Sequence, residues 1–159
     1  MNFNKKVKEA GICGPVIYEG NKIGKHVQCG HYSLIRKDNI IGDNVSIGSY
    51  TEIAHHVVIE DGVSLHSRCF IPEYTVIKKN AWLGPNVVVV NDLHPQTNGK
   101  YRKGITIGEK AIIGANTTIM ADIGAKAVIG AGAVVTKPVP EGETWAGNPA
   151  RRLNADTTM

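Results

Sequence analysis

His94 stands in the polar run Asn91-Asp92-Leu93-His94-Pro95-Gln96-Thr97-Asn98-Gly99-Lys100-Tyr101-Arg102-Lys103-Gly104, which holds one proline and two glycines. Imidazole titrates near neutrality, so a histidine in such a run is a candidate for proton transfer. Long loops thrown out of a rigid scaffold are usually functional rather than connective. Five further histidines (His26, His31, His55, His56 and His66) raise the question of a metal. Zinc would need its ligands to converge within about 2.1 Å of one ion. What these side chains can reach depends on the elements that carry them.

Those elements repeat every six residues. Counting from Ile17, an aliphatic residue or cysteine recurs without a break at Ile17, Ile23, Cys29, Ile35, Ile41, Ile47, Ile53, Ile59, Leu65, Ile71, Ile77, Leu83 and Val89. A period of six is neither the 3.6 of a helix nor the two of a half-buried strand. It marks a β-helix, each repeat forming one face of a coil. The residue after the anchor is often glycine (Gly24, Gly30, Gly42, Gly48, Gly84, Gly108, Gly114), and the residue four after it is small or β-branched. Glycine at the first of these positions is expected to supply unusual corner dihedrals. Three hexads close a triangular coil of about eighteen residues. The register resumes at Ile107, runs to Ile119 and then slips to Ile123, so Met120-Ala121-Asp122 reads as a shortened corner.

The bulk numbers agree with a slim prism. The 159 residues suit one domain, and aromatic residues make up only 6%, as a core filled by Ile, Val and Ala requires. No apolar stretch is long enough to span a membrane, and Met1-Asn2-Phe3-Asn4-Lys5-Lys6 lacks the apolar region of a signal peptide. Three cysteines without metal-like spacing read as reduced core residues of a cytoplasmic protein. The net charge of +4 comes from scattered lysines and arginines without aromatic interleaving, which argues against a nucleic-acid partner.

Period-six coils, an extruded run carrying His94-Pro95, and Gly147-Asn148-Pro149-Ala150-Arg151 together are similar to the hexapeptide-repeat acyltransferases. The likeness covers about residues 17–153 and implies an all-β, left-handed parallel β-helix, an exception to the usual right-handed crossover. It divides the chain into a lead-in (1–16), the β-helix with its loop at about 91–104 (17–153) and a short tail (154–159). Leu83-Gly84-Pro85-Asn86-Val87 followed by Asn91-Asp92-Leu93-His94-Pro95 resembles galactoside and maltose acetyltransferases, and Asn91-Asp92 also resembles the nucleotide-sugar N-acetyltransferases.

The resemblance implies a homotrimer that binds acetyl-CoA between neighbouring coils and modifies a sugar or nucleotide-sugar acceptor. His94 would then be the general base, a backbone N–H would hold the oxyanion, and Asn91 and Asp92 would orient His94 or the acceptor. His55 and His56 fall where the nucleotide-sugar enzymes carry an Asn-Asn pair, so they are candidates to touch the acceptor; exposed corner histidines are the plainer reading. Gly114-Ala115 and Gly130-Ala131 match the pantetheine bed, although corner glycines would explain the glycines as well. Thr136 and Lys137, before Pro138 and Pro140, resemble the exit from the last coil; Lys137 and Arg151 match positions that meet coenzyme phosphates. Trp145 is expected to cap the open end of the helix or to stack on adenine.

Two departures stand out. The family commonly has a full Pro-Gly hexad where this chain has Met120-Ala121-Asp122, close to the coenzyme path. The segment after Leu153 is too short for a helical domain, which leaves specificity to coils and loop. A zinc enzyme resembling γ-class carbonic anhydrases is the alternative of another class, but no two of the five remaining histidines differ by the eighteen residues that stack side chains on successive coils. No metal is therefore expected. A coil subunit serving only as a scaffold is the non-enzymatic alternative.

Overall fold

The computed structural model describes residues 14–94 and 103–153. Most of the lead-in (1–13), the centre of the loop (95–102) and the tail (154–159) lie outside the described residues. Every regular element among the described residues is a strand, nearly all of two residues.

The strands stack into three sheets, one per face of a left-handed parallel β-helix. The first face runs from Val16–Ile17 through Leu34–Ile35, Glu52–Ile53, Phe70–Ile71, Val88–Val89 and Thr118–Ile119 to Val134–Val135. The second runs from Lys22–Ile23 through Ile40–Ile41, Val58–Ile59 and Val76–Ile77 to Thr106–Ile107. The third begins at Gln28–Cys29 and ends at Thr144–Ala146 and Arg151–Arg152. The chain turns from first to second face at the first corner, from second to third at the second, and back at the third.

Each anchor points inward and its predecessor outward, as strand alternation requires. Ile35, Ile53, Ile71, Ile77, Leu83, Ile107, Ile113 and Ile119 are fully buried, each worth about 1.5–3 kcal/mol over exposure. Val57, Val63, Ala111, Ala127 and Ala133 fill the corners behind them. Partners on successive coils are eighteen residues apart in the first half, as in Val16↔Leu34 and Lys22↔Ile40. Across the polar run the step is thirty, as in Val88↔Thr118. Beyond it the step is sixteen, as in Thr118↔Val134.

The short steps come from the first corner. Ile123 and Val139 reach the second face only as single bridges, Ile107↔Ile123↔Val139. Met120-Ala121-Asp122 is thus the shortened corner, and Thr136-Lys137-Pro138 is a second one directly above it. The expected exit at Thr136-Lys137 is displaced: the coil continues, and Trp145 pairs in register with Ile129 before Arg151–Arg152 folds back antiparallel. Trp145 is partly buried against the core and donates its indole N–H to Glu143 Oε2 at 2.8 Å.

The corner glycines act differently from expectation. Positive φ belongs to the residue three after the anchor, and it is mostly not glycine: Tyr32, Asp38, Asn44, Tyr50, His56, Arg68, Tyr74, Asn80, Asn86, Lys110 and Asn116 all adopt it. The glycine after the anchor has ordinary φ but no room for a side chain. A Cβ at Gly84 would lie 2.8 Å from Ala115 N on the next coil. Close stacking of coils excludes the methyl; the dihedral does not demand it.

Candidate functional site

The first corner gathers the polar side chains. His55, Glu73 and Asn91, spaced by eighteen, form one column, and His56 and Tyr74 the next, which Gly104 rather than Asp92 continues. Glu73 is the hub. Its Oε1 lies 3.4 Å from His55 Nε2. Asn91 Nδ2 donates to the Glu73 backbone carbonyl at 2.9 Å and approaches Oε2 at 3.3 Å. His55 and His56 meet edge to face at 5.1 Å, and Tyr74, half exposed, lies 5.6 Å from His56.

The polar run leaves and returns at this corner. Asn91 O accepts the backbone N–H of Lys103 at 2.9 Å, which ties the two ends together. Gly104 then passes so close to the Tyr74 carbonyl that any side chain would strike it. Asp92 Oδ1 accepts the backbone N–H of His94 at 3.0 Å, an Asx turn that sets the direction of the chain. His94 is exposed. Asp122, on the shortened corner, accepts the Thr106 N–H at 2.7 Å and holds Lys103 Nζ at 3.8 Å. His94, Asn91, Asp92, His55 and His56 therefore share one corner.

The residues suggested for the coenzyme do not share one place. Gly114, Ala115 and Ala131 lie at the third corner, Thr136 and Lys137 at the first corner on the coils beyond His94. Across the first face between these corners run the outward residues Val88, Thr118 and Val134. Arg151 is on the fold-back strand of the third face, exposed, with Nη1 donating to Ala150 O at 2.8 Å. At Gly114 a Cβ would strike the backbone of Ala131, so its glycine has a structural reason of its own. Ala131 is exposed, and beside it Gly132 faces open space.

The other histidines are dispersed. His26 is at the second corner; His31 and His66 are at the third, where His66 packs on Trp82 at 4.7 Å. Among the described residues no group of three or more His, Cys, Asp or Glu side chains could hold a metal ion. Burial pushes the Cys29 and Cys69 thiols up to about 11, which keeps them protonated and poor nucleophiles. Among the described residues no helix is long and apolar enough to cross a membrane.

Glu73, Tyr74 and Asp122 escape a reading of the sequence that looks for histidines. Glu73 and Tyr74 nonetheless lie eighteen residues from His55 and His56, and from Asn91 and Asp92, so spacing alone could have found them.

Residues 40–73 match the family model described as bacterial transferase hexapeptide (six repeats), and residues 104–137 match that described as hexapeptide repeat of succinyl-transferase. The structure is similar to the acetyltransferase domain of PglB from Neisseria gonorrhoeae FA1090, solved in complex with acetyl coenzyme A. That likeness has a TM-score of 0.57 and 19% identity, over 94% of this chain and 63% of that chain. The product of the BC4754 gene of Bacillus cereus has a TM-score of 0.62 and 23% identity, over 92% of this chain and 81% of that one. WeeI from Acinetobacter baumannii AYE has a TM-score of 0.51 and 28% identity, over 86% and 57%. The chain thus spans less than two thirds of the PglB and WeeI chains.

Proposed function

We propose that this hexapeptide-repeat chain is an acetyl-CoA-dependent acetyltransferase whose acceptor is a sugar or nucleotide-sugar. The observation that carries the reading is the first corner, where His94 leaves the coil beside Asn91, Asp92, His55 and His56. The matches to transferase hexapeptide models and the likeness to a domain solved with acetyl-CoA support it.

In this reading His94 is the general base. Its imidazole takes the proton of an acceptor hydroxyl or amine as that oxygen or nitrogen bonds to the thioester carbonyl carbon. A backbone N–H stabilises the oxyanion; the C–S bond breaks as the carbonyl reforms, and the proton passes to the departing thiolate. Asp92, through the His94 backbone, and Asn91, through the tie to Lys103, hold the start of the polar run in place. His55 and His56 meet the acceptor on the coils below.

Gly114, Ala115 and Ala131 form the pantetheine bed, where the absence of bulk admits a close-lying chain. Thr136, Lys137 and Arg151 meet the phosphates, two of them as cations. These residues occupy separate edges of one prism, which suits a bed completed between copies, and the reading includes a cytoplasmic homotrimer.

The test is release of free thiol from acetyl-CoA in the presence of nucleotide-linked amino sugars, amino sugars and simple glycosides. His94→Ala should lower kcat by about 10²–10⁴ while the circular-dichroism spectrum stays that of the parent. A protein that neither binds acetyl-CoA nor releases thiol with any of these acceptors would sink the proposal.

A further inference from the structure

The first corner holds one side chain that the mechanism above leaves without a task. Glu73 lies midway in the column between His55 and Asn91, and its carboxylate faces both, Oε1 toward His55 Nε2 at 3.4 Å and Oε2 toward Asn91 Nδ2 at 3.3 Å. Its side chain is only 21% exposed, so water competes weakly for these contacts. Asn91 in turn is the foot of the polar run, since its carbonyl accepts the Lys103 N–H. The amide of Asn91 has two hydrogens. The Glu73 backbone carbonyl accepts at 2.9 Å and its carboxylate at 3.3 Å, so the amide is held from two sides by one residue.

We infer that Glu73 is a positioning residue: it fixes the foot from which His94 projects and, with the same carboxylate, orients His55 toward the acceptor. The kinetic part of this inference rests on the acetyltransferase reading; the structural part does not. Glutamate suits the task because it offers two acceptor oxygens in a rigid plane, so one side chain serves donors on the coils above and below. Alanine would keep only the backbone half of the Asn91 contact. Glutamine would keep an oxygen for Asn91 and lose the charge beside His55.

Two readouts separate these roles. With a working acceptor, Glu73→Ala should lower kcat about tenfold and raise the acceptor KM, with the acetyl-CoA KM unchanged. Glu73→Gln should recover most of kcat and keep the raised acceptor KM. A merely structural glutamate would shift all three constants together, or none. The second readout needs no activity: exchange of the Lys103 amide should be about three- to tenfold faster in Glu73→Ala and in Asn91→Ala, and near the parent rate in Glu73→Gln. Unchanged Lys103 exchange in both alanine variants overturns the inference, and so does Glu73→Gln kinetics as poor as those of Glu73→Ala. If the parent turns over no acceptor, the transferase reading falls, and the Lys103 amide alone decides whether Glu73 holds the foot.

Discussion

Asn86 Nδ2 donates to Asn116 Oδ1 at 3.0 Å although thirty residues separate them. They occupy equivalent places on adjacent coils, both with positive φ at the third corner. Before the polar run such a partner is eighteen residues away, as in Asn39 Oδ1 accepting the Val57 N–H at 2.8 Å. The twelve-residue excess is looped out at the first corner, and the coils on either side close over it in register.

Excision of residues 92–103, joining Asn91 to Gly104, should therefore leave an ordinary hexad. Gly104 already sits on Tyr74, where the uninterrupted coil would place it. The expected result is a parent-like circular-dichroism spectrum and a urea stability within about 1 kcal/mol, because loop length costs little. Thiol release should vanish, since His94 is gone. Loss of the fold would mean that the run supports the coils as well as leaving them.

Gly84→Ala should destabilise by about 1–3 kcal/mol in urea titration. The new methyl meets only backbone: Ala115 N at 2.8 Å, and Ala115 Cα and Ile113 O at 3.1 Å. Gly132→Ala is the contrast, with open space but a φ of +71°, and should cost about 1–2 kcal/mol from the dihedral alone. A neutral Gly84→Ala would show that coil spacing can relax.

Thr75→Val should raise stability by about 1 kcal/mol. The Thr75 hydroxyl is buried beneath the first corner with no hydrogen-bond partner among the described residues, whereas valine has its shape and needs none. A lower urea midpoint for the variant would reveal that the hydroxyl is satisfied in solution.

Glu60 carries a modest acid sensitivity. The Lys78 ammonium at 2.9 Å, and then the Lys79 backbone N–H at 3.1 Å, hold its carboxyl below the ordinary value of 4.5. A group with a depressed folded value stabilises above its unfolded value and loses that contribution as pH falls through the folded one. Stability curves at pH 7, 5 and 3 should show Glu60→Gln weaker at neutral pH by about 0.5 kcal/mol or less, given the partial exposure of the pair, and closing on the parent below pH 4. A constant gap across the series would remove ionisation as the cause.

The coils were legible because their interior is so narrow that each anchor must be aliphatic, and a strict spatial constraint writes a strict period. The polar run was legible for the converse reason: Val90 to Ile105 supplies no anchor. The corners are less legible. Glycine suggested the dihedral, but the positive φ lies two residues later, on Tyr50, Arg68 and Tyr74 among others. The stacking distance between coils, which excludes a methyl after the anchor, is not a local property and leaves no sign in any one hexad. The shared corner of His55 and Asn91 is present in their separation of thirty-six, two coils, whereas a lone glutamate such as Glu73 carries no chemical signal until it is set between them. The second shortened corner was hidden because Thr136-Lys137-Pro138 resembles an exit, whereas the bridge from Ile123 to Val139 and the pairing of Ile129 with Trp145 show that the chain goes on winding.

A stack of interchangeable rungs has no inherent stopping point, and a bare final rung would invite another copy to add to it. The segment from Ala146 to Arg152 withdraws that invitation. Gly147 O accepts the Val134 N–H at 3.0 Å and Ala150 donates to Val134 O at 2.8 Å, while Arg151–Arg152 lies backwards along Thr144–Ala146. A strand running the wrong way, bearing two cations, offers a poor template for fibre growth, and Ala150 stops the hollow like a cork.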